Sequence, residues 1–238
     1  MKTLLMVFAT ASLLTFCVTE ITTAQIATHV VISEVYGGGG NAGSTYKNDF
    51  VELYNATAAP VSMTNWSIQY ATAAGLFGNG ATKKTIFSGT IPAYGFFLIK
   101  ESQGAGGTTD LPIPNASGII AMSAADGKIA LANDTVTVTG SASVNVVDFV
   151  GYGSANQFEG SSAVGTLNNT SSAERKAQST STATSMASGG NDVARGNGWD
   201  SNNNNVDFVV QSTQGPQDRK STRLNSSHIQ KSRMPSSA

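Results

Sequence analysis

Apolar and polar residues alternate along Val30–Tyr36 and again along Asn48–Asn55, the period-2 pattern of strands with one buried face. In the first, Val31, Ser33 and Val35 oppose Ile32, Glu34 and Tyr36; in the second, Phe50, Glu52 and Tyr54 oppose Val51 and Leu53. The glycines at 37–40 and a polar stretch connect them, which predicts two strands around a glycine loop. Residues 66–71 alternate around Trp66, Ile68 and Tyr70. Residues 85–91 lead into Pro92-Ala93-Tyr94-Gly95, whose proline and glycine mark a turn, and 96–100 form a short apolar strand.

A longer loop is expected over 101–126, which carries Gly104, Gly106, Gly107, Pro112 and Pro114. Strands follow at 128–133 and 144–152. Residues 178–190 are rich in Ser, Thr and Ala and read as a mobile connection without core-forming residues. The apolar cluster at 206–210 is read as a returning final strand. No stretch sustains a 3.6-residue period, so helices are expected to be minor. Short strands between regular turns predict an all-β fold, a sandwich or barrel. Candidates for its inner faces are Phe50, Val51, Leu53, Trp66, Ile68, Phe97, Ile99, Ile129, Leu131, Val147 and Phe149.

The two ends of the 238-residue chain read differently from this middle. Residues 1–24 carry Lys2, an apolar run from Leu4 to Leu14, and Thr22-Thr23-Ala24 before Gln25, the layout of a secretory signal with a small-residue cleavage site. The apolar run falls short of the ~20 residues that span a bilayer, so no transmembrane anchor is expected. Cys17 follows Phe16, too bulky for the position before an acylated cysteine. Residues 218–238 resemble translated sequencing adapter in two separate blocks, 218–228 and 232–238, and are read as an artefact, expected to be disordered. The expected organisation is a signal peptide over 1–24 and a single domain over 25–217.

Setting both ends aside changes the charge balance. Without Lys2, Glu20, Asp218 and the five basic residues of the tail, eight basic and thirteen acidic residues remain, a formal net charge of −5, against −1 for the whole chain. An acidic surface repels polyphosphate, so a nucleic-acid partner held by a broad basic face is disfavoured. The basic pairs Lys83-Lys84 and Arg175-Lys176 read as solvated faces. The trimmed chain holds no cysteine, and His29 is its one histidine. Thiolate zinc sites, disulfide frameworks and cysteine nucleophiles are excluded, and a serine nucleophile would need His29, which reads as a solvated residue before the first strand.

The opening Ile-Ser-Glu-Val-Tyr, the block from Asn48 to Asn55, the Trp66 strand, the Ile91-Pro92-Ala93-Tyr94-Gly95 turn before Phe96-Phe97-Leu98-Ile99, and Asp148-Phe149-Val150-Gly151-Tyr152-Gly153 together resemble the lamin-tail domain in its secreted bacterial form. The similarity runs from about Ala27 to Gln217. It implies an immunoglobulin-like β-sandwich and a non-catalytic accessory or adhesion-type role. It also implies that such modules accompany extracellular nucleases or phosphatases in longer chains. The expected function is a non-enzymatic extracellular binding module for a protein, envelope or glycan partner, secreted or at the cell surface. The alternative is the N-terminal accessory part of a truncated secreted hydrolase such as a nuclease or phosphatase.

Site candidates are few. Asp200, Asn202 and Asn204 have the alternating oxygen spacing of a calcium loop, with Asp207 nearby, although Asn205 and Gln211 stand where such a loop needs glycine and a bidentate glutamate. No other cofactor is expected. Gly38, Gly40 and Gly43 match a G-x-G-x-x-G spacing, but a strand follows in place of the helix that a dinucleotide site requires. They are expected to supply positive φ in a mobile connection. Glu34, Asp49 and Glu52 are expected to satisfy loop amides or face water. Trp66, Tyr70, Tyr94 and Trp199 would stack on sugars if exposed, but core or turn packing is the expected fate of these rings.

Overall fold

A computed structural model describes residues 25–216. The signal and adapter readings at 1–24 and 218–238, and Gln217, lie outside those residues. Ten strands follow in chain order: β1 (Val30–Tyr36), β2 (Asn48–Asn55), β3 (Val61–Ala71), β4 (Lys84–Ile91), β5 (Phe96–Gln103), β6 (Ala116–Ser117), β7 (Gly127–Ala132), β8 (Val146–Tyr152), β9 (Ser172–Arg175) and β10 (Phe208–Gln211). Two single-turn helices, α1 (Ala183–Met186) and α2 (Asn204–Asp207), lie between β9 and β10.

The strands form a six-stranded sheet, β10-β9-β1-β2-β5-β6, and a four-stranded sheet, β4-β3-β7-β8. Every pairing is antiparallel except β5 with β6. The two sheets pack face to face as an all-β, immunoglobulin-like sandwich. Val35, Val51, Leu53 and Ile99 of the larger sheet meet Ile68, Phe87, Ile129, Leu131 and Val150 of the smaller one in the main core. Burying each such side chain contributes about 1.5–3 kcal/mol before conformational entropy is subtracted.

Irregularities decide which residues reach that core. A strict alternation along β1 would put Ile32 and Val35 on opposite faces. The register shifts between Ile32 and Glu34, a bulge at Ser33 that restores Val35 to the inside, so both line the same core. A second shift between Met63 and Trp66, with Asn65 at φ 55°, extends β3 well before the alternating segment at 66–71. Trp66 and Val147 pack against the main core as expected.

Phe50 and Phe149 are fully buried but on the outer faces of the two sheets. Phe50 joins Tyr36 and Leu98 under Tyr46 and Leu111, its ring 5.5 Å from that of Tyr36 and 6.2 Å from that of Tyr46. Phe149 joins Ala130, Ala132 and Val138, with the Phe77 ring edge-on at 5.9 Å. Each is one residue out of phase with its core-facing neighbours, Val51 and Val150, as a period of two requires. Loops cover these outer faces, so burial alone does not report which side of the sheet a residue occupies.

The stretches read as loops are also structured. Residues 101–126 contribute β6 and send Ile120 and Met122 into the main core. Residues 178–190 contain α1, capped by Thr182 and Ser185 in a reciprocal capping box, with Met186 buried. Val206 falls in α2, so β10 begins only at Phe208.

The glycine loop after β1 is close-packed backbone. The Gly40 N–H donates to the Tyr46 carbonyl at 2.9 Å and the Gly106 N–H to the Gly40 carbonyl at 2.6 Å. A Cβ on Gly39 would come within 1.9 Å of the Asn48 carbonyl carbon, and one on Gly40 within 2.2 Å of Gly104. Gly39 is required for the close approach to the start of β2 and Gly40, at φ +69° as expected, for that to the loop after β5. Gly39→Ala is expected to cost about 3 kcal/mol in urea unfolding. Gly43→Ala, at φ +77° with nothing within 4 Å, is expected to cost only the left-handed strain of about 1 kcal/mol. Equal effects at the two positions would overturn the close-packing account.

Candidate functional site

The densest polar cluster lies where β9, β8 and β1 meet the segment before β10. Its centre is Arg175, the last residue of β9, which together with Ala173 points into the sandwich while Ser172 and Glu174 point out. Arg175 is fully buried. Its Nε donates to the Ile32 carbonyl at 2.9 Å, and Nη1 donates to the Trp199 carbonyl at 3.1 Å and to Asp200 Oδ1 at 3.3 Å. Its Nη2 donates to both oxygens of Asp148, at 2.9 and 2.7 Å. The Phe208 ring lies 4.5 Å from the guanidinium carbon, a cation–π contact in a desolvated setting. All three nitrogens of the guanidinium donate to acceptors.

Asp148 is equally enclosed. Besides the guanidinium it accepts the Ile32 N–H at 2.5 Å and the Phe149 N–H at 2.9 Å. Burial pushes its carboxyl above the ordinary value, and the guanidinium and the Ile32 N–H pull against that. For Arg175, burial works to lower its basicity, and Asp148, Asp200, Asp207 and Glu159 more than offset it, so the net shift is upward. Glu159 beside this cluster is pushed up to about 8, by burial first and then by the negative charge of Asp148.

The four residues with calcium-loop spacing lie on the rim of this cluster, each with its own protein contacts. Asp200 Oδ1 receives Arg175 and the Asn202 N–H at 3.1 Å, and its Oδ2 stands 3.6 Å from Nε2 of His29. Asn202 is exposed, at φ 55°. Asn204 turns the other way, into β8, accepting the Gly151 and Glu159 N–H groups at 2.8 and 3.1 Å and donating to the Phe149 carbonyl at 2.8 Å. Asp207 accepts the Ser201 and Asn203 N–H groups, both at 2.9 Å, and the Ser201 hydroxyl at 2.6 Å. Among the described residues no three His, Cys, Asp or Glu side chains converge on one point as a metal-binding group.

A second set of buried carboxylates fastens residues 118–123 to the sandwich. Asp49 accepts the Gly39 N–H and the Met122 N–H, each at 2.9 Å, so it satisfies loop amides as expected. Glu101 accepts the Ile120 N–H at 3.0 Å. Its other oxygen, Oε1, is buried, and the Thr85 hydroxyl lies beside the carboxyl and lowers its pKa. Both carboxyls are pushed up to about 7, by burial first, against the lowering pull of the hydrogen bonds each receives. Glu34 pairs across strands with Glu52 and with Glu174. These three accept from Ser172, Ser33 and Asn197 respectively, at 2.6, 2.8 and 3.2 Å.

The basic pairs are not simply solvated faces. Arg175 is the hub, and Lys84 is buried, its Nζ donating to Asn79, to the Thr135 carbonyl and to Thr137 at 2.9, 2.7 and 2.9 Å. The aromatic candidates pack as expected: Tyr70 and Trp199 are buried, Trp66 lies against the main core and Tyr94 against the smaller cluster around Tyr54 and Phe96. Sequence reasoning missed Arg175, Asp148 and Glu101 as structural centres. The one available signal was a charged residue in a segment with strand-like parity, Ser-Ala-Glu-Arg, which has too few apolar residues to announce a strand.

The Lamin Tail Domain family profile matches residues 23–154, from before β1 to the end of β8. The chain belongs to the lamin tail domain family. Membership places it in a non-catalytic class. A search of curated proteins finds no match. Among solved structures the lamin tail domain is similar to a DUF4876 family protein from Bacteroides thetaiotaomicron VPI-5482, with a TM-score of 0.50 and 14% identity. The alignment covers 84% of this chain and 75% of that one, a likeness of fold alone. Among the described residues no helix is long and apolar enough to cross a membrane, which says nothing about a β-barrel. The family match ends before β9 and β10, so Arg175 ties the lamin tail region to the segment that follows it.

Two predictions test this arrangement. Arg175→Met leaves Asp148 buried beside Asp200 without its cation and is expected to cost about 3–5 kcal/mol in urea unfolding; a loss below about 1 kcal/mol would remove the hub from its central place. The second concerns pH. Asp49 and Glu101 titrate near 7 in the folded state and near 4 when unfolded, so the folded state holds the proton more tightly. Their contribution is fully present below the unfolded value and is lost as pH rises through about 7. Unfolding free energy is therefore expected to be greater at about pH 5 than at about pH 8, with Glu159 acting in the same direction. Glu101→Gln keeps an acceptor for Ile120 and removes the titrating carboxyl, so it is expected to flatten this profile and to raise stability at about pH 8 by about 1 kcal/mol. A profile rising toward pH 8 would contradict the assignment.

Proposed function

We propose that this chain is a non-catalytic extracellular binding or accessory module that engages a protein, envelope or glycan partner through the loops around its sandwich, after export directed by residues 1–24. The observation that carries this reading is the internal use of its chemical groups. Asp49, Glu101, Asp148, Asp200 and Asp207 each accept hydrogen bonds from the protein's own donors. A carboxylate committed in this way is not poised to activate water or hold a substrate. The loop from Asp200 to Asp207 is read in the same terms, as a connection closed by its own hydrogen bonds.

The purified chain, incubated with DNA and with a phosphomonoester in the presence of calcium or magnesium, is expected to give no turnover above buffer. Its melting temperature is expected to stay unchanged on adding calcium. Turnover that disappears in Asp49→Asn would overturn the non-catalytic reading, and a calcium-dependent rise in melting temperature lost in Asp200→Asn would reinstate a metal site in that loop.

A further inference from the structure

We infer that the outer edge of β4 pairs with the same edge of a second copy of this chain, joining two four-stranded sheets into one continuous sheet across a two-fold axis at Ser88. Among the described residues, β10, β6, β8 and β4 end the two sheets, and a sheet edge presents N–H and C=O groups that another strand can pair with. Strand β10 has four residues and β6 two, too short to offer a long ladder. On β8 the outward groups of Phe149 and Gly151 are taken within the chain. The Phe149 N–H donates to Asp148 and its carbonyl accepts from Asn204; the Gly151 N–H donates to Asn204 and its carbonyl accepts the Val164 N–H. Strand β4 has eight residues and pairs with β3 alone. The Tyr70 N–H donates to the Lys83 carbonyl at 2.9 Å, which sets the alternation along β4. Thr85 and Phe87 turn their backbone groups to β3, and Ile86, Ser88 and Thr90 turn theirs away. Among the described residues nothing bonds to the outward backbone groups of these three.

The edge fits its own copy in one register. The Lys84 N–H donates to the Gly80 carbonyl at 3.0 Å, and Pro92 has no N–H, so both ends of the edge are closed to further pairing. Centred on Ser88, Ile86 exchanges both backbone bonds with the partner's Thr90, and Ser88 does so with the partner's Ser88. Sliding the copy by two residues either way sets Thr90 against the partner's Lys84 or Ile86 against the partner's Pro92, and loses bonds. The side-chain rows also match. On the outer face Ile86, 54% exposed, lies beside the partner's Thr90, a pair of β-branched residues. On the inner face Phe87 lies beside the partner's Gly89, where an aromatic ring covers the missing side chain. The Ser88 hydroxyl accepts the Asn65 N–H at 2.9 Å and keeps its own hydrogen to donate to the partner's Ser88. Residues 85–91 carry no charge and no proline, the devices that keep sheet edges apart. Two acidic copies therefore meet with no like charges opposed along the seam.

A seam one strand wide places this dimer in the weak class. Sedimentation velocity of the full chain at concentrations up to about 1 mM is expected to show a reversible equilibrium of monomer and dimer. Over the same range, amide hydrogen exchange at Ile86, Ser88 and Thr90 is expected to slow with concentration, and exchange at Thr85 and Phe87 to stay constant. Thr90→Pro removes an outward N–H that has no partner in the monomer, so it is expected to abolish the dimer and leave the chain folded. In a Cys17→Ser background, Ser88→Cys is expected to form a disulfide-linked dimer, because bonded antiparallel pairs hold their Cα atoms about 5.5 Å apart. Ile86→Cys and Thr90→Cys, each opposite the other's position, are expected not to. A monomer throughout, a dimer that survives Thr90→Pro, or equal cross-linking at the three positions would overturn the pairing. Edge amides that gain protection only when a different protein is added would overturn it as well, by giving the edge another occupant. Each of these results leaves the non-catalytic reading standing, which fails only on the separate observation of turnover.

Discussion

The fully buried guanidinium of Arg175 is the constraint on which the sandwich depends. It sits on a four-residue strand, β9, yet reaches β1 through Ile32, β8 in the opposite sheet through Asp148, and the segment before β10 through Trp199 and Asp200. Taking such a charge out of water is expensive, and the ion pair with Asp148 repays it only because each guanidinium nitrogen also has its acceptor. A shifted register of β9 against β1 would carry Arg175 away from Asp148 and leave both charges buried alone. The pair is therefore better understood as fixing one arrangement of the strands than as a net source of stability, which comes from the apolar core.

The same accounting runs through the other polar groups. Buried carboxylates at Asp49 and Glu101 hold the backbone of residues 118–123, and glycine backbones at 39 and 40 close the gap to the neighbouring loop. Carboxylates raised toward neutral pH often mark catalytic sites. Here burial raises them while backbone N–H groups bind both oxygens of Asp49 and one of Glu101, which is the signature of a structural clamp. An immunoglobulin-like sandwich without disulfides secures its long connections by these side-chain-to-backbone contacts, in the lamin tail region and beyond it.

Much of this was legible in the sequence where period and packing coincide. Val51, Leu53, Ile68, Ile129 and Leu131 alternate with polar or outward residues and fall in the core. The failures have physical causes. At Ser33 a bulge inserts one residue and reverses the parity that the pattern implied. Phe50 and Phe149 are apolar on a face that loops cover, so hydrophobicity reported burial without reporting side. Strand β9 is held by Ser172, Glu174 and Arg175 contacts to distant partners, and a hydrogen bond spanning 143 residues, such as Arg175 to Ile32, leaves no local trace in composition. The oxygens spaced along 200–207 were also legible, whereas their long-range contacts, Asp200 with Arg175 and Asn204 with β8, were not.

Strand parity then links the hub to the outer surface. Residues 174 and 175 are neighbours in β9, so one side chain enters the sandwich and the other leaves it. Arg175 anchors the strand from within, and Glu174 lines a cleft on the far side. In the segment after the family-matched region, adjacent residues thus face opposite sides of the sheet, and neither can shift without the other. Both lie on the β10-β9 side of the larger sheet, where the contacts of Arg175 fix a strand of only four residues.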